Sequence, residues 1–145
     1  MLAKLFNFLQ FELQILQEMV RLAERQKEAL TKFNIKELEE ITSFQEELAK
    51  GLRKAEEQRI AYIMSLFGIT RIEALKIRLS SIESRVSSEE AAEIRKFKKS
   101  MAKLVNILQE LNLTNRVLAN RAKSSVATML GVMTNGNTHM CNVRI

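Results

Sequence analysis

Proline, tryptophan and aspartate are missing from this 145-residue chain, and cysteine and histidine occur once each. Each absence removes a class of structure or chemistry. Without proline, nothing forces a helix to end, because no ring clashes with the preceding turn and every residue keeps its backbone donor. The four glycines are scattered, so no glycine-rich loop is available to cradle a phosphate. A lone Cys141 cannot close an internal disulfide, which fits a reducing compartment. His139 and Cys141 together offer two metal ligands where a structural zinc site needs four. With no aspartate, a Ser-His-Asp set is impossible unless a glutamate substitutes. The paired carboxylates Glu39-Glu40 and Glu46-Glu47 read as solvated helix surface. The sequence therefore predicts a protein that is not an enzyme and uses no cofactor or metal.

Long apolar runs are also lacking. The opening stretch MLAKLFNFLQFELQIL is broken by Glu12 and by several amides, well short of the ~20 apolar residues a membrane span needs. It has no small-residue cleavage site, so neither a secretory signal nor stable membrane insertion is expected, and the expected location is the cytoplasm.

What remains is rich in Leu, Glu, Lys, Arg, Ala and Gln, the straight-chain helix formers. Its most regular feature is an apolar stripe: Ile94, Phe97, Met101, Leu104, Leu108, Leu111, Asn115, Leu118, Ala122, Ser125, Met129, Val132. The steps alternate three and four residues, which places all of these side chains on one seam of a single long helix. Earlier in the chain, Phe6, Leu9, Leu13, Leu16, Val20, Ala23 and Leu30 trace the inner face of a helix over about 2–32, and Leu5, Phe8, Ile15, Met19 and Leu22 widen it. Asn34 followed by Glu37 reads as a helix start. The second helix then runs to about Phe67, with Gly68 as its stop. The short link between the two predicts an antiparallel hairpin. Thr70 with Glu73 opens a short helix to about Glu83, and Ser87 with Glu90 opens the last helix, to about Gly131. The predicted fold is all-α: an elongated antiparallel helical bundle made of a two-helix hairpin, a short helix and a long C-terminal helix. Residues 1–133 form one domain, and 134–145 are a flexible tail with an Asn135-Gly136 turn signal.

Charge is uneven. The first 70 residues are nearly balanced, and the whole-chain net charge of +6 comes from the basic excess beyond them. The densest cluster, Arg95, Lys96, Lys98, Lys99 and Lys103, sits on the polar side of the long seam and reads as a solvated face. Its single aromatic, Phe97, belongs to the seam, so no stacking platform points to nucleic acid.

The seam changes character along its length. Up to Leu111 it is large and apolar; from Asn115 it turns smaller and more adaptable, with Val126, Leu130 and Met133 widening it. By residue count, the first two helices can cover only part of so long a helix. Leu111, Asn115, Leu118, Ala122, Val126, Met129, Leu130 and Met133 are accordingly the candidate docking residues for partner helices. Two other readings are self-association of a structural coiled coil through the same seam and packing of this end on the hairpin.

The passage Leu22-Ala-Glu-Arg-Gln-Lys-Glu-Ala-Leu30, the break at Asn34, then Leu38-Glu-Glu-Ile41-Thr42 and Gln45-Glu-Glu-Leu48, resembles the FlgN family of flagellar export chaperones. Glu57-Gln-Arg59 and the run from Leu108 to Leu118 fit the same pattern, so the likeness spans about residues 9–133. The resemblance implies a cytosolic chaperone for hook–filament junction proteins. Such a chaperone binds their terminal helices through its C-terminal helix and delivers them to the flagellar type III export gate. It maps client binding onto Asn115–Met133. Family members often carry an aromatic near the C-terminal end that contributes to gate contact, and this chain has none after Phe97.

Overall fold

The computed structural model describes residues 2–134. It is all-α, in the order α1 (Ala3–Thr31), α2 (Ile35–Phe67), α3 (Arg71–Lys76), α4 (Leu79–Glu83) and α5 (Ser88–Thr134). The helix boundaries follow local chemistry. The Asn34 side chain accepts from the Glu37 backbone N–H at 3.2 Å and starts α2. Gly68 ends it in the left-handed conformation, at φ +61°. Thr70 and Glu73 form a reciprocal capping box at the head of α3. The Ser87 hydroxyl accepts from Glu90 N–H at 3.2 Å at the head of α5. The expected tail, with Asn135-Gly136, His139 and Cys141, lies outside the described residues; α5 itself continues through Thr134.

Helix α1 is the middle member of the bundle. It packs along α2 on one side and α5 on the other, and α2 and α5 form no helix pair with each other. Two neighbours require two faces. Residues spaced by seven (Phe8, Ile15, Leu22, Ala29) serve α2: Phe8 meets Tyr62 with ring centroids 5.9 Å apart, and Leu22 and Ala29 share a core cluster with Ile41. On the α5 side, Phe6 stacks on Phe97 at 5.9 Å. Of the inner face read from the sequence, Leu9, Leu16 and Ala23 are buried, as are Leu5, Ile15 and Leu22 from its widened margin, while Leu13 and Val20 are only half-buried; the buried member that the reading did not place there is Glu12.

Residues 71–83 make two helices where the sequence reading had one. The chain is extended at Ile77 and Arg78. Ala74 and Ile82 are both buried, in one cluster with Leu2, Leu5, Leu9, Ile63 and Ile94. In an unbroken helix they would sit roughly 12 Å and 80° apart. The break turns both onto the same core. Glu83 then closes α4 onto α5 by accepting from Lys98 Nζ at 3.2 Å, with Arg95 at 3.8 Å. Two members of the basic cluster are thus structural.

Among the described residues, two buried polar side chains interrupt this core, Glu12 and Asn115. Glu12 is the larger departure from the sequence reading, which treated it only as a break in an apolar run. Its Oε1 accepts from Arg59 Nε at 3.0 Å, while Oε2 is buried with no hydrogen-bond partner. Burial pushes the Glu12 carboxyl above its ordinary 4.5, and the Arg59 guanidinium pulls it back only in part.

Two predictions follow from this packing. Ile94→Ala, which opens a hole in the cluster around Ile82, should lose about 2–4 kcal/mol in chemical denaturation, whereas the exposed Val132→Ala should stay within about 0.5 kcal/mol of the parent. For Glu12, the raised folded-state pKa means that protonation favours the folded chain: the group's stabilising contribution is full below 4.5 and is lost as pH rises through the folded value. Glu12→Gln should therefore melt at the same or a higher temperature than the parent at pH 7, with the gap narrowing towards pH 4.5. Parallel pH profiles, or a less stable variant at pH 7, would contradict the assignment.

Candidate helix-docking site

The position of α5 on α1 is fixed at two levels. Phe6 stacks on Phe97, and Asn115 Nδ2 donates to the Ala23 carbonyl at 2.9 Å. Between these contacts the two helices advance together, so they run parallel and in register. Extrapolated to Thr31, the end of α1, the matching level on α5 falls near Ala122 and Lys123. From there α5 continues to Thr134, roughly 17 Å beyond its neighbour at 1.5 Å per residue.

The candidate docking residues divide at this level. Leu111, Leu118 and Ala122 are half-buried beside α1. Asn115 is an internal residue, 4% exposed, and not part of an open face. Past Ala122 the side chains emerge: Val126 is 41% exposed, Met129 63% and Met133 76%, with Val132 at 72% beside them. Leu130 stays half-buried among its helical neighbours. The expectation that the hairpin can cover only part of the last helix is met by this geometry. Of the three readings of the distal seam, packing on the hairpin is not what the structure shows for residues 123–134.

Sequence reasoning missed the polar junction at the foot of this overhang. Gln45 Nε2 on α2 donates to Gln26 Oε1 on α1 at 3.0 Å, and the same oxygen accepts from Asn115 Nδ2 at 3.3 Å. Three carboxamides thus tie the three long helices together. Beside them lies an open groove of about 450 Å³, lined by Met19, Gln26, Gln45, Leu108, Asn112, Asn115, Arg116 and Ala119. Asn115 at a seam position was the available signal, since an amide inside an apolar seam fixes register. Gln26 and Gln45 gave none, because glutamines on helices are usually solvated.

The site offers shape and apolar area rather than reactive groups. Among the described residues, no cluster of three or more His, Cys, Asp or Glu side chains is placed to hold a metal, and no helix is long and apolar enough to cross a membrane.

Comparison with known proteins agrees with what such a surface can do. A family model described as "FlgN protein" matches residues 1–143. No curated protein and no solved structure matches the chain significantly. With nearly its whole length matched and a long helix left bare at one end, this chain belongs to the FlgN family of flagellar export chaperones.

Proposed function

We propose that the protein is a cytoplasmic, non-enzymatic chaperone for hook–filament junction proteins, holding their amphipathic terminal helices against the distal part of α5 and passing them to the flagellar type III export gate. The observation that carries this reading is the overhang: Val126, Met129, Val132 and Met133 are exposed together on a helix that outruns its own bundle. A contiguous exposed apolar patch marks an interaction surface. Positions spaced three and four apart on a helix fit the apolar stripe of a second helix. Proteins destined to coil with one another expose such stripes before assembly, so a temporary helical partner keeps them apart. Delivery to the gate rests on family membership, and with no aromatic after Phe97 that contact must use other side chains.

Because Met129 is exposed, Met129→Asp should leave the circular dichroism spectrum and melting temperature nearly unchanged. It should weaken binding of purified junction-protein terminal peptides at least about tenfold, since a carboxylate would be buried against an apolar partner. Isothermal titration decides it: undiminished binding by a folded Met129→Asp variant removes the distal stripe from the site.

A further inference from the structure

We propose that the occupant of the Asn112–Met133 face is an acidic amphipathic helix, with carboxylates seven residues apart set against Arg116 and Lys123. This deepens the docking role proposed above by naming the chemistry of the partner.

The charge pattern carries it. Glu110 is the last acidic residue in the sequence, so the part of α5 from Leu111 to Thr134 holds Arg116, Arg121 and Lys123 with no anion of its own. All three are exposed, and none has an ion-pair partner among the described residues. Elsewhere some cations are paired, such as Arg59 with Glu12, Arg71 with Glu57 and Lys98 with Glu83, and others, such as Lys96 and Lys99, are in no ion pair among the described residues; what sets the distal segment apart is that it holds no acidic residue at all. Arg116 and Lys123 are seven residues apart, which on a helix sets them within roughly 20° of each other, along one edge of the apolar stripe. Arg116 also stands on the wall of the three-helix groove, and the stripe leaves that groove through Ala119 to Val126 and Met133 without interruption.

The shape specifies a helix. Past Thr31 the line of α1 is vacant, and the side of α5 that faced it continues as Val126, Met129 and Met133. A helix entering that line continues the packing that α1 leaves off. Anions spaced by one heptad on its flank meet the two cations as flanking charges do in coiled coils. A second copy of this chain is the poorer occupant. A symmetric pairing of two distal segments brings cations to cations.

Two synthetic helical peptides with the same leucine stripe, one flanked by glutamates and one by lysines, provide the probes. Their affinities for the full chain are measured by fluorescence anisotropy at low and moderate salt. The glutamate peptide should bind about tenfold more tightly than the lysine peptide at low salt, with the ratio shrinking as salt rises. The double variant Arg116→Glu/Lys123→Glu, altered only at exposed positions, should abolish or invert that preference while keeping the parent's helicity. Equal affinity for the two peptides, or a preference that survives the double variant, overturns the proposal. So does tighter binding of duplex DNA or of phosphatidylglycerol vesicles than of the glutamate peptide, or a homodimer that Met129→Asp dissociates. Junction-protein termini that bind with no sensitivity to the double variant would overturn this inference and leave the chaperone reading standing. Termini that fail to bind while the glutamate peptide does would remove that client and leave the acidic-helix inference intact.

Discussion

The amide of Asn115 determines where α5 lies on α1. Parallel helices that share a three-and-four seam can slip by a heptad with little change in apolar contact, since Leu108 and Ala122 would take the place of Asn115 opposite Ala23. In register Nδ2 reaches both the Ala23 carbonyl and Gln26, with Oδ1 buried and unpartnered, whereas a heptad slip sets the amide opposite Leu16 or Leu30 and away from Gln26. The stacking of Phe6 on Phe97 enforces the same register at the other end. The length of exposed helix follows directly: a one-heptad slip would lengthen or shorten the overhang by roughly 10 Å. A single internal hydrogen-bond pattern thereby sets how much of α5 is left for a partner.

Because α1 serves both neighbours, the core is not one continuous column. The larger cluster, around Leu5, Leu9, Ile63, Ile82 and Ile94, lies where α3 and α4 close the bundle. The smaller, around Leu22, Ala29 and Ile41, lies beneath the hairpin turn. Polar groups stand along α1 between and beside them, the buried Glu12 with half-buried Arg59, and half-buried Gln26 with Gln45 and the buried Asn115. Stability is accordingly concentrated at the α3–α4 end. The end where α5 outruns α1 is held more by directional polar contacts, which specify geometry while adding little net free energy.

Much of this was legible because it is local. The caps at Asn34, Gly68, Thr70 and Ser87 depend on one turn of chain, and each was readable from residue type and spacing. The long seam and its incomplete cover were readable from helix lengths alone. Three features were not. The inner place of Glu12 on α1 was hidden, because a carboxylate at a core position defeats a search for apolar residues. The turn at Ile77 and Arg78 exists to bring Ala74 and Ile82 onto one core, a tertiary requirement that a capping box does not reveal. Asn115 was visible as a polar member of the seam, but its burial depends on the Ala23 carbonyl, distant in sequence.

The passage through α3 and α4 reverses the chain once more, so that α5 starts beside the beginning of α1 and leaves past its end. The two ends of the bundle are thus separated by roughly 50 Å of α5 between Ser88 and Lys123. A second protein gripping the α3–α4 end would stand clear of anything lying on the distal stripe. On the proposed reading, a helix lying on the stripe and a protein at the far end would not compete for the same surface.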